Sequence, residues 1–209
     1  MANIITISRE FGSGGRELGK RLADVLGYDY YDREIITEIS KKYQLNEDFV
    51  EQTLNKQVWK TVPLNYGRTI SYFNTMHTSH MNLLIEEKEI LEKIASSNRN
   101  CIIVGRNADI LLEKYNPFSI FVCADMESKI QRCINRMSQE EKKTIKAIEN
   151  EIKAIDKTRA KTRELICENK WGDRSDYNLI INTTGWNLKD LSQSIAPVIS
   201  KWFEVKNEN

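Results

Sequence analysis

The chain has 209 residues, 31 basic against 30 acidic, with 40% hydrophobic and 29% charged residues. A chain of this size accommodates one domain, or one core with insertions, and needs no disulfide or metal staple. Its net charge of +1 argues against non-specific nucleic-acid binding, yet balanced totals leave room for a local basic pocket. No apolar run approaches the ~18 residues that span a bilayer, and the opening M-A-N-I-I-T-I-S-R-E lacks a signal-peptide pattern. Cys101, Cys123, Cys133 and Cys167 show no C-x-x-C spacing, so no zinc framework is expected. A reduced, cytoplasmic protein is the simplest expectation.

The first expected strand is Ile4-Ile5-Thr6-Ile7, a short β-branched run. A glycine-rich segment follows, then Leu18, Leu22, Val25 and Leu26 recur at helical spacing, and Gly27 supplies a stop. A short second strand is expected at residues 28–31. Strand, glycine loop, helix and strand within about 30 residues are the signature of a βαβ unit. Residues 33–98 read as mostly helical, broken near Pro63 and Gly67, with a long helix over 69–96 whose Met81, Leu84, Ile85, Leu91, Ile94 and Ala95 share a face. The third strand is expected at 101–104, a short helix at 108–114 and the fourth strand at 118–123. Helices are expected at 127–137, from Ile145 along the stripe Ile148, Ile152 and Ile155, and at 188–203 with a loose tail, the fifth strand lying at 178–181. Five apolar strands without alternation, interleaved with helices, imply a doubly wound α/β sheet buried on both faces. Ligands of such sheets collect at the carboxyl ends of the strands.

The residues at those ends are S-R-E-F-G-S-G-G-R-E-L-G-K (8–20), D-R-E (32–34) and G-R-N-A-D (105–109). Gly12, Ser13, Gly14, Gly15 and Arg16 form a turn that feeds a helix N-terminus, a combination suited to phosphate. The string from Gly14 to Lys20 has the G-x-x-x-x-G-K spacing of a nucleotide-binding loop, but Leu18 already belongs to the helical stripe and Arg21 replaces the required hydroxyl. That register is rejected. Asp32 is a ligand contact or a helix cap, and one residue can serve as both. Arg106, after Gly105, is placed to grip phosphate in two-pronged fashion, with Asn107 and Asp109 beside it; an ion pair is the competing reading. Asp156, Arg159 and Arg163 are spaced to share a helix face, as are Arg132 and Arg136. Solvated surface is the ordinary fate of such charges, but a lid after the fourth strand would carry them over the crevice. His77 and His80 show no metal-ligand pattern, and Tyr28, Tyr30 and Tyr31 read as packing residues.

These residues, in this order, resemble the nucleoside monophosphate kinases, and most closely the cytidylate kinase-like family. The matching strings are I-T-I-S-R-E-F-G-S-G-G-R-E-L-G-K-R-L-A (5–23), L-G-Y-D-Y-Y-D-R-E-I-I (26–36), I-I-V-G-R-N-A-D (102–109), D-K-T-R-A (156–160) and W-G-D-R-S-D-Y-N-L-I-I-N-T-T (171–184). The resemblance implies a three-layer αβα P-loop kinase-like core over 1–209, with a five-stranded parallel sheet. It also implies a helical acceptor-binding insertion at 40–95 and a helical lid at 138–175. The implied activity is transfer of the terminal phosphoryl of ATP, with magnesium, to a nucleoside monophosphate such as CMP. Small nucleotides are then the partners, with neither nucleic acid nor membrane. On this resemblance Gly12, Ser13, Gly14, Gly15, Arg16 and Arg136 bind the donor, while Asp32, Arg106, Asn107 and Asp109 bind the acceptor. Arg16, Arg159 and Arg163 would serve the transfer, and Ser8 or Ser13 would help to hold magnesium. The family's lid pattern falls on Asp156, Lys157 and Arg159, and Arg68 is the one residue of the insertion that stands out.

The sequence also departs from the family. The loop's lysine position falls on Gly15, its Ser/Thr on Arg16, its first glycine on Arg9, and the acid of G-R-D on Asn107. Arg16, one residue past the lysine position, is the expected substitute charge. Two other readings stay open: a nucleotide-binding module without catalysis, and a dinucleotide fold using Gly12, Gly14, Gly19 and Asp32.

Overall fold

Branched apolar residues organise the sheet. The computed structural model describes residues 2–44, 47, 50, 69–137 and 143–208, with backbone alone for 43, 69–82, 207 and 208. Strand β1 (Ile4–Arg9) pairs in parallel with β3 (Cys101–Val104) on one side and β4 (Phe118–Cys123) on the other. Strands β2 (Asp29–Tyr31) and β5 (Leu179–Asn182) close the edges, giving the order β2-β3-β1-β4-β5, parallel throughout. Ile5, Ile102 and Ile120 are fully buried, as expected of central strands covered on both faces. Edge strand β5 instead alternates, with Ile180 exposed and Ile181 buried.

Helix α1 (Gly15–Leu26) follows β1, and α2 (Glu34–Tyr43) follows β2. Then come α3 (Thr69–Ser96), α4 (Ala108–Leu111), α5 (Met126–Arg136), α6 (Ile145–Glu164) and α7 (Leu188–Glu208). Leu18 and Leu22 of α1 meet Leu188, Leu191 and Ile199 of α7 over Ile5, Ile7, Ile102 and Val104, so these two helices cover one face. Thr6 and Ser119 hydrogen-bond at 3.0 Å elsewhere in the buried sheet. With helices flanking a five-stranded parallel sheet, the architecture is a three-layer αβα fold.

Strand order reverses at β1, between β3 and β4, so the segment after β1 opens at the switch point where such sheets bind ligands. The chain divides into residues 1–32 with 94–209, and residues 33–93 as a second compact unit. Within that second unit Lys42 pairs with the buried Glu86 at 2.6 Å. Expected α3 face residue Ile85 is 51% exposed, while Leu83 and Leu91 are buried.

Boundaries differ from the sequence reading at polar ends. Strand β1 runs on through Ser8 and Arg9, because Arg9 still pairs with Val122. The expected helix at 108–114 is a single α-turn followed by a 3-10 turn at Glu113–Tyr115. Helix α6 extends to Glu164, nine residues past the stripe's last isoleucine. Helix α7 continues to Glu208, so the expected loose tail is mostly helix. Pro63, Gly67, Arg68, the side chains of Met81, His77 and His80, and residues 138–142 of the expected lid lie outside the described residues.

Candidate phosphate site

The loop between β1 and α1 is shaped by two glycines in left-handed conformation, Gly12 (φ 78°) and Gly14 (φ 83°). Gly14 is the N-cap of α1, and a Cβ there would lie 2.7 Å from Leu188 Cδ1. Gly15, Arg16 and Glu17 open the helix, so their N–H groups have no partner within it. Among the described residues no backbone acceptor faces the amides of Gly14, Gly15 or Arg16. Open amides at a helix N-terminus draw anions.

The loop is held from behind by many contacts. Thr183 Oγ1 donates to the Ser13 carbonyl at 2.6 Å, and Arg132 reaches the same carbonyl at 3.3 Å while donating to the Thr183 carbonyl at 2.7 Å. Lys129 Nζ binds Glu10 at 2.9 Å. Ser13 Oγ donates to the Glu10 carbonyl at 2.8 Å. Helix α6 reaches the loop as well: Phe11 N–H donates to Asp156 at 2.7 Å, and Arg159 Nη1 donates to the Arg9 carbonyl at 2.9 Å. Arg159 also lies 5.7 Å from the Phe11 ring centroid. Burial pushes the Asp156 carboxyl up, countered by the Phe11 amide and Arg159.

Four guanidinium groups converge here. Burial lowers Arg9 to about 9, helped by Arg159, Arg106 and Arg16 and opposed by Asp32. Burial likewise pushes Arg159 down; Asp156 opposes that fall, and Arg16 and Arg106 add to it. Asp32 answers two of them: it pairs with Arg16 Nε and stands 3.7 Å from Arg9 Nη2, while Asp156 lies 3.3 Å from Arg159 Nη1. Its ion pairs thus outweigh the simple cap expected of it, and α2 starts with Arg33 at the N-cap without a side-chain cap bond. Arg9 lies across the end of β3: a Cβ on Gly105 would fall 1.6 Å from Arg9 Nη1. Such a surplus of partly buried positive charge favours a bound polyanion.

The G-R-N segment carries a second unusual backbone. Gly105, Arg106 and Asn107 are all left-handed, with φ of 79°, 61° and 47°. For the two residues that bear side chains this costs on the order of 1 kcal/mol each, a kind of strain that collects at functional sites. Asn107 is the N-cap of α4 through its backbone position, without a side-chain cap bond.

Other expected site residues are occupied elsewhere. Arg163 is 1% exposed and donates to Asp109 at 2.6 Å and Asp176 at 2.7 Å. Arg163, expected to close over a reacting phosphoryl, and Asp109, expected to contact an acceptor, are thus placed against each other in a triad with Asp176. Arg136 sits half exposed on Glu17 at 3.2 Å, beside the Arg21–Glu17 pair, rather than in the arginine cluster. Lys157, next to Asp156, has no contact in the cluster among those described.

The oxygen donors near the loop are already engaged within the protein. Ser8 Oγ donates to Asp109 at 3.4 Å, and Ser13 Oγ is spent on the Glu10 carbonyl in a fully buried position. Glu10, Asp32, Asp109 and Asp156 are each matched to a cation. Magnesium needs near-ideal oxygen geometry, and these residues do not fit a protein-held ion; Ser8 and Ser13 are not placed as its ligands.

Arg9 is the residue that sequence reasoning passed over. A Cβ at Gly15 would lie 2.6 Å from the Arg9 Cβ, so a large residue at one position requires a small one at the other. The signal was present as two departures of opposite size from one motif.

A parallel sheet with a glycine loop at its switch point, backed by convergent arginines, defines an α/β protein of the P-loop kinase fold. The chain belongs to the cytidylate kinase-like family, whose model matches residues 4–185. An uncharacterized protein from Eubacterium ventriosum ATCC 27560 is 25% identical, with a TM-score of 0.69 over 95% of this chain and 98% of that one. Shikimate kinase from Bacteroides thetaiotaomicron is 14% identical, with a TM-score of 0.56 over 95% of this chain and 98% of its own. A gluconokinase from Sinorhizobium meliloti 1021 is 13% identical, with a TM-score of 0.52 over 98% and 95%. The two kinases share the fold alone. No curated protein matches the chain.

Proposed function

We propose that the protein is a phosphotransferase that moves the terminal phosphoryl group of ATP to a small acceptor, a nucleoside monophosphate such as CMP. The observation that carries this reading is the open-amide loop at the N-terminus of α1, beside four mutually repelling guanidinium groups, of which Arg9 and Arg16 share Asp32 and Arg159 has Asp156. Phosphoryl transfer depends on positioning and charge neutralisation. The amides of Gly14, Gly15 and Arg16, with Gly12 and Ser13 shaping the turn, hold the donor phosphates. Arg106 and Asn107 after β3, with Asp32 after β2, serve the acceptor. Arg159 reaches the loop from α6 and neutralises charge on the moving group. An acceptor phosphate oxygen attacks the terminal phosphorus, the bond to the bridging oxygen breaks, and ADP leaves. Residues 40–95 and 138–175 are the proposed acceptor-binding insertion and lid.

Purified protein incubated with ATP, magnesium and a panel of nucleotides tests this directly. ADP formed only with a monophosphate acceptor, and an acceptor diphosphate in equal amount, is the expected result. Folded protein that yields no product with any acceptor overturns it. Gly15 and Arg16 in place of lysine and a hydroxyl favour a second reading, a nucleotide-binding module without catalysis. Saturable ATP binding with no turnover selects that reading.

A further inference from the structure

Two of the loop's departures from the nucleotide-binding loop pattern, Arg9 and Gly15, touch in space. A Cβ at position 15 would sit 2.6 Å from Arg9 Cβ and 3.1 Å from its Cγ, so no side chain fits at 15 while Arg9 is present. The Arg9 side chain leaves the end of β1, passes Gly15, and brings its guanidinium over Gly105, where the left-handed backbone (φ 79°) also favours glycine. Two glycines thus line the path of one arginine. Its side chain is 15% exposed, and Asp32, at 3.7 Å, is too distant for a hydrogen bond and is already held by Arg16. Arg159 holds the Arg9 carbonyl at 2.9 Å and so fixes the root of the side chain.

We propose that Arg9 is the phosphate-gripping cation of this loop, delivered from the end of β1 in place of a lysine from the first turn of α1. The exchange changes how charge is met. A lysine acts as a point charge, whereas a guanidinium offers a planar fork of donors that can engage two phosphate oxygens. With Arg16 standing where a metal-holding hydroxyl would be, and the nearby carboxylates matched to cations, the polyphosphate is neutralised by guanidinium groups without a protein-held divalent ion. This rests on reading the loop as a polyphosphate site, and it names the residue that makes it one.

The test is calorimetric titration of the full chain with inorganic tripolyphosphate, in excess EDTA and again with magnesium. The wild type binds in EDTA, and Arg9→Ala weakens binding at least 50-fold. Arg9→Gln keeps much of the side-chain length without the charge, and it loses as much, which guards against misfolding of the alanine variant. The reciprocal exchange, Arg9→Gly with Gly15→Lys, recovers at least tenfold over Arg9→Ala. Wild-type affinity in a folded Arg9→Gln variant overturns the assignment of Arg9 and leaves the polyphosphate site standing. Binding that appears only with magnesium overturns the metal-free neutralisation. A wild type that takes up neither tripolyphosphate nor ATP overturns both this inference and the proposed function.

Discussion

Two arginines of this protein, Arg163 buried and Arg9 partly buried, have opposite electrostatic settings. Burial alone would push Arg163 down, but Asp109, with its hydrogen bonds and those to Asp176, holds it above the ordinary range. Arg9 is pushed down to about 9, because burial and three other guanidinium groups outweigh a single carboxylate at 3.7 Å. Arg163 is complete within the protein and ties α6 to α4 and to the turn before β5. Arg9 is left short of negative charge, at the mouth of a loop whose amides are also open. A cation that the fold has satisfied is a brace, and a cation that the fold leaves wanting is a binding group.

The largest test of this contrast removes the brace. Arg163→Met strands the buried Asp109 and the half-buried Asp176, and we expect a loss of about 3–5 kcal/mol in urea unfolding. A loss below about 1 kcal/mol would erase the distinction between the two arginines. The same region sets an alkaline limit. Burial, with Asp109 adding to it, pushes the Tyr177 hydroxyl up to about 12. Its folded value lies above the unfolded one, so its contribution is intact below pH 10 and fades as pH rises towards 12. Stability should fall there with a slope nearing about 1.4 kcal/mol per pH unit, and Tyr177→Phe should flatten it. Arg9→Met, by contrast, should leave stability within about 1 kcal/mol of wild type, with the sign towards gain, since it relieves repulsion and buried charge. A large loss in thermal unfolding would make Arg9 a second brace. The smallest effect belongs to Arg136→Ala: that exposed pair with Glu17 should change unfolding by less than about 0.5 kcal/mol.

The sheet was legible because its strands are short apolar runs set between helical stripes. All five expected strands form, and β5 shifts by only one residue. The glycine loop was legible for a similar reason, since Gly12 and Gly14 take the left-handed conformations that turn chemistry predicts. Arg9 was not legible. A polar residue at a strand end breaks the apolar pattern, and its meaning depends on Gly15 and Gly105, which meet it only in space. Arg163 was misread for a geometric reason. Spacing from Asp156 puts it on the same helix face, but seven residues advance about 10 Å along the axis. Asp156 and Arg159 therefore meet the phosphate loop, whereas Arg163 meets Asp109 and Asp176. Periodicity gives direction around a helix and says nothing of what waits at each level.

The central claim is that the turn after β1 is an anion cradle made of backbone amides. Amide resonances in a nitrogen-15 spectrum, followed while ATP is added, test it most directly. The account predicts that Gly14, Gly15 and Arg16 shift together and saturate at one ligand concentration. ATP that saturates the protein while those three amides stay still would contradict it.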